Sequence, residues 1–274
     1  MDSKKGMKPM AHLLDLTEQD LDSIPPFQPD DWPDITRAYS FYVRSWFCKP
    51  LKLIQGGEII GIGNIIYMHD TAWLSQIIVR PANRNQGWGK FITQGLIDQC
   101  KPMVRTISLL ATDLGFPVYQ KLGFKTQSIY HFYKGDPLPS IPGIDAVQQY
   151  DTQCHCDILE LDKSASGEIR SRLLQDHMQN AKVILTQKEV IAFYLPTLGE
   201  GLIMSKQVEA GLQLLAYHLR DKGKIVIPEE NNDATEFLLS RGYMNYRKAH
   251  RMYSGDAIPY KPQWIFSRVG GNLG

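Results

Sequence analysis

The chain has 274 residues and a mass of 31.2 kDa, with 43% hydrophobic and 22% charged residues. These proportions are typical of a globular protein and exclude collagen-like, disordered and coiled-coil chains. Thirty Lys and Arg residues balance 29 Asp and Glu residues, so the net charge of +1 gives no indication of a nucleic-acid partner or an anionic membrane partner.

The N-terminal segment lacks the long apolar run of a signal peptide or a membrane span, so we expect a cytoplasmic protein. Four cysteines are too few for a disulfide scaffold. The tripeptide Cys154-His155-Cys156 resembles part of a metal site, but zinc requires four ligands and no second cluster follows. We therefore expect no metal and interpret the tripeptide as alternation along a strand. The sequence does not indicate an oligomeric state.

Hydrophobic spacing in the first half predicts an aromatic-rich helix, a meander of three strands, a second helix, a further strand and a third helix. The predicted ranges are 35–47 for the first helix, 51–54, 59–68 and 73–79 for the meander, 88–102 for the second helix and 107–111 for the next strand. Gln55-Gly56-Gly57 predicts the first hairpin turn. Aromatics near the first helix are expected in the core rather than in an acceptor pocket: Trp32, Tyr39, Tyr42 and Trp46.

A linker rich in proline, residues 136–143, divides the chain almost in half. Shifting the second half over the first by 119 residues aligns Leu96 with Leu215 and Gly123 with Gly242. The repeat predicts two tandem copies of one α/β (α+β) fold, residues 1–140 and 141–274, each with a mixed, mostly antiparallel sheet flanked by helices. Two unrelated domains are the alternative.

The segment 77–90 reads as a strand end, a polar turn with two glycines and a helix start. Unsatisfied N–H groups at a helix N-terminus attract anions, and glycine lets a phosphate approach the backbone. A nucleotide P-loop is excluded because Phe91 follows Lys90 where a hydroxyl is needed. A dinucleotide fingerprint is excluded because Ile92 replaces its third glycine. The segment therefore fits a pyrophosphate site, and a purely structural turn is the alternative.

Arg84-x-x-Gly87-x-Gly89, preceded by Ile78-Val79-Arg80-Pro81 and followed by Tyr119-x-x-x-Gly123-Phe124, resembles the GNAT superfamily of acyl-CoA N-acyltransferases. The resemblance covers residues 73–124 and implies acetyl-CoA as the cosubstrate. It also implies that the loop wraps the pyrophosphate and that Tyr119 is the general acid. Thr112 stands where the family often has an asparagine that contacts the cofactor. The implied cofactor-binding residues are Ile77, Ile78, Val79, Arg84, Asn85, Gln86, Gly87, Trp88, Gly89, Lys90 and Thr112.

The second copy lacks the groups that carry chemistry in the first. Gly87 and Gly89 align with Lys206 and Val208, and Tyr119 aligns with Leu238. We therefore expect the second half to be a degenerate GNAT-like domain that binds no cofactor. Within it, Asn231 is expected to be a turn or capping residue.

The general base is not identified by the sequence. Glu58, His69, Asp70 and Asp113 could each act through water, yet each is also typical of a turn. His131 and His250 are interpreted as structural.

We expect an N-acetyltransferase that acts on a primary amine, either a small molecule or a peptide. Direct attack is expected because Cys100 lies at the far end of its helix, away from the loop. The alternative is a non-catalytic acyl-CoA-binding or protein-interaction module.

Overall fold

The computed structural model describes residues 10–30, 32–139 and 146–273. The chain divides into two units, of which the first comprises Met1–Ile66 and Leu74–Pro102 and the second Tyr67–Trp73 and Met103–Gly274. The predicted linker lies partly outside the described residues, and so does the predicted boundary at 140/141. The two units are not the two sequence halves, because the second unit takes its strands from both.

Among its described residues, the first unit contains two α-helices and most of four strands. Its helices are α1 (Ile35–Arg44) and α2 (Trp88–Cys100), and its strands are β1 (Ala11–Asp15), β2 (Cys48–Gln55), β3 (Glu58–Tyr67) and β4 (Thr71–Val79). These strands are ordered β1-β2-β3-β4, and β2 is antiparallel to both β1 and β3. The meander and its hairpin at Gly56 and Gly57 are as predicted.

Two glycines of β3 bring α2 close to the sheet. A Cβ at Gly61 would lie 2.5 Å from Ile92 Cδ1, and one at Gly63 would lie 2.9 Å from Leu96 Cδ1. Both distances are below van der Waals contact, so a side chain at either position would force Ile92 or Leu96 to shift. The Gly61-x-Gly63 pair therefore serves helix packing, which agrees with the exclusion of a dinucleotide fingerprint.

The first helix is shorter than predicted and ends at Arg44. The N–H of Ser45 bonds to the carbonyls of Phe41 and Tyr42, and its hydroxyl donates to the Phe41 carbonyl, which terminates the helix. Tyr39 and Tyr42 are buried as expected, whereas Trp46 is 72% exposed and the prediction that it lies in the core is wrong.

The second unit contains the remaining elements. Its helices are α3 (Phe116–Lys121), α4 (His155–Ser166), α5 (Ser171–Leu174), α6 (Val208–Leu219) and α7 (Asn232–Leu239). Its strands are β5 (Thr106–Ala111), β6 (Lys125–Lys134), β7 (Gln148–Gln149), β8 (Lys182–Thr186), β9 (Glu189–Leu195), β10 (Leu202–Ser205), β11 (Lys224–Pro228), β12 (Met244–Gly255) and β13 (Ile265–Ser267).

A strand–helix–strand order occurs twice in the second unit, as β5-α3-β6 and as β11-α7-β12. Their strands are ordered β5-β12-β6-β11, with antiparallel pairing throughout, so each copy's last strand lies between the two strands of the other. A five-stranded sheet follows the order β13-β10-β9-β8-β7. The predicted α/β class, with mostly antiparallel sheets flanked by helices, is confirmed.

The interpretation of Cys154-His155-Cys156 as a strand is wrong. The Asp151 side chain accepts a hydrogen bond from the Gln153 N–H and caps a helical turn that leads into α4. Alternation over three residues fits a helix as well as a strand, and Asp151 is the residue that decides between them.

Candidate functional site

The residues predicted to bind an anion lie in the connection between β4 and α2. It comprises residues 80–87, which are mostly exposed, and Asn85 and Gly87 have positive φ angles of 62° and 87°. Gly87 is the N-cap of α2 and provides no side-chain cap. The backbone N–H groups of Gly89 and Lys90 have no acceptor among the described residues, as expected for the first turn of a helix.

Open space surrounds this helix start. A Cβ at Gly87 would meet no atom within 4 Å, and one at Gly89 would meet only Val79 Cγ2 at 4.0 Å. The first turn of α2 contains no acidic residue, and Lys90 adds a positive charge to the positive end of the helix dipole. The residues present therefore fit a phosphate group.

Arg84 is held beside the strand end rather than free in solvent. Its Nε donates to the Val79 carbonyl at 3.1 Å, which closes the loop onto β4. Along β4, Ile78 is buried while Ile77 and Val79 are half-buried, so two of the three β4 residues predicted to bind the cofactor are partly accessible. Trp88 is half-buried and packs edge-on against Phe91.

A polar cluster inside β4 was missed by the sequence analysis. Gln76 adopts a φ of 52° in the middle of the strand, and its carbonyl accepts a hydrogen bond from the Tyr39 hydroxyl at 3.1 Å. Burial raises the pKa of Tyr39 well above 10, so this hydroxyl remains a donor. The Nδ2 of Asn64 donates to Ser75 Oγ, while the buried atoms Asn64 Oδ1 and Gln76 Oε1 have no hydrogen-bond partner among the described residues.

This cluster distorts β4 just before Ile77. A non-glycine residue at positive φ inside a strand is strained, and Tyr39 supplies the contact that stabilises it. The only sequence signal was the polar pair Ser75-Gln76 within an apolar run, and a left-handed conformation cannot be read from it.

Tyr119 lies on α3, in the second unit. Its ring covers Gly115, where a Cβ would lie 2.8 Å from Cε2, and it packs edge-on against Phe124. Burial raises the pKa of Tyr119 to about 12, so the phenol is protonated at neutral pH.

Thr112 has a structural role at the start of α3. Its carbonyl accepts hydrogen bonds from the N–H groups of Gly115 and Phe116, and its hydroxyl accepts one from Gly115 at 3.4 Å. These bonds form the turn that precedes Tyr119. A direct contact of Thr112 with the cofactor remains a prediction.

Two of the four candidate bases are already in ion pairs. Glu58 pairs with Arg80 at 3.2 Å, and Asp70 pairs with Arg105 at 2.6 Å. His69 and Asp113 are exposed.

The connection between β10 and α6, which the sequence shift aligns with the loop, is only two residues long. Lys206 forms an ion pair with Glu189, and its N–H bonds to the Ile191 carbonyl. Leu238, which aligns with Tyr119, is fully buried. The Asn231 side chain accepts a hydrogen bond from the Ala234 N–H, which confirms its predicted capping role.

No described helix is both long and apolar enough to cross a membrane. Within the described ranges, no group of three or more His, Cys, Asp or Glu side chains is arranged to hold a metal ion.

The family model described as the acetyltransferase (GNAT) domain matches residues 49–135. None of the curated proteins matches this sequence.

Several solved structures are similar in fold. A putative acetyltransferase from Pyrococcus horikoshii is 20% identical, with a TM-score of 0.81, and the match covers 100% of this chain and 99% of that one. A GCN5-related N-acetyltransferase from Kribbella flavida is 16% identical, with a TM-score of 0.58 and coverage of 90% and 71%. A glucosamine N-acetyltransferase region of a fungal β-N-acetylglucosaminidase is 14% identical, with a TM-score of 0.67 and coverage of 90% and 38%. The comparisons therefore support a GNAT acetyltransferase domain at residues 49–135.

Proposed function

We propose that this protein is an N-acetyltransferase that transfers an acetyl group from acetyl-CoA to a primary amine. The observation that carries the proposal is the open, uncapped start of α2, where Gly87 and Gly89 leave room for a phosphate and the adjacent N–H groups have no acceptor. The matched domain at residues 49–135 supports acyl transfer as the chemistry.

In the proposed reaction the amine nitrogen attacks the thioester carbonyl directly and loses one proton to solvent, and the carbon–sulfur bond then breaks. Tyr119 donates its phenolic proton to the departing sulfur. Its pKa of about 12 keeps the proton in place until negative charge develops on the sulfur, and solvent restores it afterwards. The N–H groups of Gly89 and Lys90 and the positive charge of Arg84 and Lys90 hold the pyrophosphate.

We further propose that the chain is a tandem of two GNAT-like copies, residues 1–140 and 141–274, with acetyl-CoA bound only by the first. The strand–helix–strand order occurs twice, and the last strand of each occurrence lies between the two strands of the other. Both observations support the duplication. The ion-paired Lys206 and the buried Leu238 support the loss of chemistry in the second copy.

The test is a calorimetric titration of the full chain with acetyl-CoA, followed by a thiol-release assay over a panel of primary amines. Binding with amine-dependent thiol release supports the enzyme. Binding without release on any amine indicates a non-catalytic acyl-CoA-binding module. Absence of binding overturns the proposal.

A further inference from the structure

Within the first unit, the side chains of β4 change faces of the sheet at Gln76. Asn64 Nδ2 donates to Ser75 Oγ, so these two side chains share one face. A Cβ at Gly63 would lie 3.5 Å from Ile77 Cγ1, so Ile77 lies on the face of Gly63. Adjacent residues of β3 point to opposite faces. Ser75 and Ile77 therefore lie on opposite faces, whereas a regular strand would place residues two positions apart on the same face.

The left-handed conformation of Gln76 accompanies this change of face. Its φ is 52°, and a change of alternation by one residue is the effect of a β-bulge. After the bulge, Ile77 shares its face with Leu96 of α2, and Val79 Cγ2 lies 4.0 Å from the position of a Cβ at Gly89. The bulge therefore turns the end of β4 toward the helix that begins at the loop of residues 80–87.

The hydroxyl of Tyr39 stabilises the bulge. Tyr39 is fully buried, and its hydroxyl donates to the Gln76 carbonyl oxygen at 3.1 Å. A residue other than glycine is strained at this φ. The buried Oε1 of Gln76 has no hydrogen-bond partner among the described residues, so this oxygen does not offset the strain. The conformation of Gln76 therefore depends on a hydroxyl supplied by α1.

The same hydrogen bond fixes the direction of the Ile77 N–H. The described chain contains no cis peptide bond, so the Gln76 carbonyl and the Ile77 N–H point in opposite directions across one planar group. Because Tyr39 holds the carbonyl, the N–H is directed away from Tyr39. Ile77 lies three positions before Arg80, which is about 10 Å along a strand. A ligand that occupies only the loop does not extend to Ile77.

We propose that Tyr39 is a positioning residue for acetyl-CoA, because its hydroxyl sets the direction in which the main chain of Ile77 meets the pantetheine and acyl end of the cofactor. The inference rests on the proposed function and on the predicted contact of Ile77 with the cofactor. Tyr39 is fully buried, so it acts through the peptide between Gln76 and Ile77.

The first test is calorimetric titration of the unmodified chain and of Tyr39→Phe with two ligands, acetyl-CoA and adenosine 3′-phosphate 5′-diphosphate. The second ligand carries the phosphates and lacks the pantetheine arm, so it reports on the loop alone. We expect Tyr39→Phe to raise the Kd for acetyl-CoA at least tenfold and to leave the Kd for the nucleotide unchanged. An unchanged Kd for acetyl-CoA, or an equal rise for both ligands, overturns the inference.

The matched control is Tyr42→Phe, which removes the hydroxyl of another buried tyrosine of α1. We expect it to change neither Kd. A rise for acetyl-CoA as large as that in Tyr39→Phe would assign the effect to general packing of α1 and overturn the inference.

The second test relieves the strain at Gln76. Glycine adopts a positive φ readily, so Gln76→Gly removes the need for the Tyr39 hydroxyl. We expect Tyr39→Phe to raise the Kd for acetyl-CoA less than threefold when Gln76→Gly is also present. A tenfold rise in both backgrounds overturns the inference.

The double variant also decides the case in which Tyr39→Phe does not fold, as measured by urea unfolding. A folded double variant that binds acetyl-CoA as tightly as Gln76→Gly alone supports the inference. Any other result assigns Tyr39 to packing and overturns it.

Failure of the proposed function gives a different result. If the unmodified chain does not bind acetyl-CoA, the proposed function fails, and a crystal structure of Tyr39→Phe tests the control of the Ile77 direction alone. A negative φ at Gln76 in that variant supports this control. An unchanged φ overturns it.

Discussion

The connection between β4 and α2 and the connection between β10 and α6 each lead from a strand into a helix, but the two connections differ in structure. Between β4 and α2 the connection takes the eight residues 80–87, which form an exposed loop with two positive φ angles. Between β10 and α6 it takes only Lys206 and Gln207. There the Ser205 hydroxyl bonds to the backbone of Gln207, and the Lys206 N–H bonds to Ile191.

The difference between the two connections shows which features, besides a helix N-terminus, make a segment suitable for binding an anion. Both helices have the same dipole, but α2 begins with glycines that leave open space and follows a loop long enough to curve around a phosphate. In α6 the glycine of the first turn is packed instead, because a Cβ at Gly211 would lie 2.3 Å from the Phe266 ring. Connection length and open backbone therefore separate a binding helix from a structural one.

The largest expected effect concerns Tyr119. The residue that aligns with it in the second half is Leu238, which has no hydroxyl. Tyr119→Phe retains the ring over Gly115 and removes the proton donor, so we expect turnover to fall about a hundredfold with little change in acetyl-CoA affinity. Thiol release and calorimetry measure the two quantities. Tyr246→Phe, at an exposed residue of β12 in the same unit, is the control. Full activity of Tyr119→Phe would assign the proton to water.

The next prediction concerns the pH dependence of the free energy of unfolding, which reports on the packing of α6 through His218. Burial lowers the pKa of His218 to about 4, and its Nδ1 lies 2.9 Å from the Tyr194 hydroxyl. Because the unfolded chain binds a proton near the usual histidine pKa of about 6.5, the free energy of unfolding falls as the pH drops below that value. We expect His218 to account for a loss of roughly 2 kcal/mol between pH 7 and pH 5.

Urea unfolding at both pH values measures this loss in the unmodified protein and in His218→Gln. The variant should lose much less stability over the same interval, and His69→Gln, at an exposed histidine, should behave as the unmodified protein. An unchanged pH dependence in His218→Gln would mean that His218 is not the group responsible.

A smaller effect is expected on acetyl-CoA affinity when the glycines at the start of α2 are replaced. Gly87→Val and Gly89→Val place side chains where the phosphate would lie, so we expect each to raise the acetyl-CoA dissociation constant at least tenfold, about 1.4 kcal/mol. Gly87 has a φ of 87°, so valine also strains the backbone there, whereas Gly89 is not in that region. Gly57→Val is the matched control, since Gly57 has a φ of 85° and is equally open. Unchanged affinity in both loop variants would refute the phosphate site.

Local patterns were enough to predict much of the fold and the loop. The hairpin at Gly56 and Gly57, the helix that starts at Trp88 and the cap at Asn231 each depend on residues within a few positions of one another. Such signals are readable because glycine conformations, caps and helical spacing are set by neighbours in the chain.

Features that depend on distant residues were not predicted. The positive φ of Gln76 is stabilised by Tyr39, 37 residues away, and Arg268 is oriented by Glu200, 68 residues away. Cys154 was predicted to lie in a strand, because an alternation over only three residues is too short to distinguish a strand from a helix. In each case tertiary contacts or a cap outside the motif determined the conformation, and no local rule contains them.

In the last prediction we expect no effect of the substitution, and the measurement tests the two-residue connection between β10 and α6 directly. Lys206 is already paired with Glu189, and the two-residue connection leaves no loop to surround an anion. We therefore expect one acetyl-CoA per chain in a calorimetric titration, and Lys206→Ala should leave both stoichiometry and affinity unchanged. A single flexible ammonium group does not replace a set of fixed N–H donors at a helix start. A stoichiometry of two that falls to one in Lys206→Ala would show that a short connection suffices for binding, and the second copy would then be a second site.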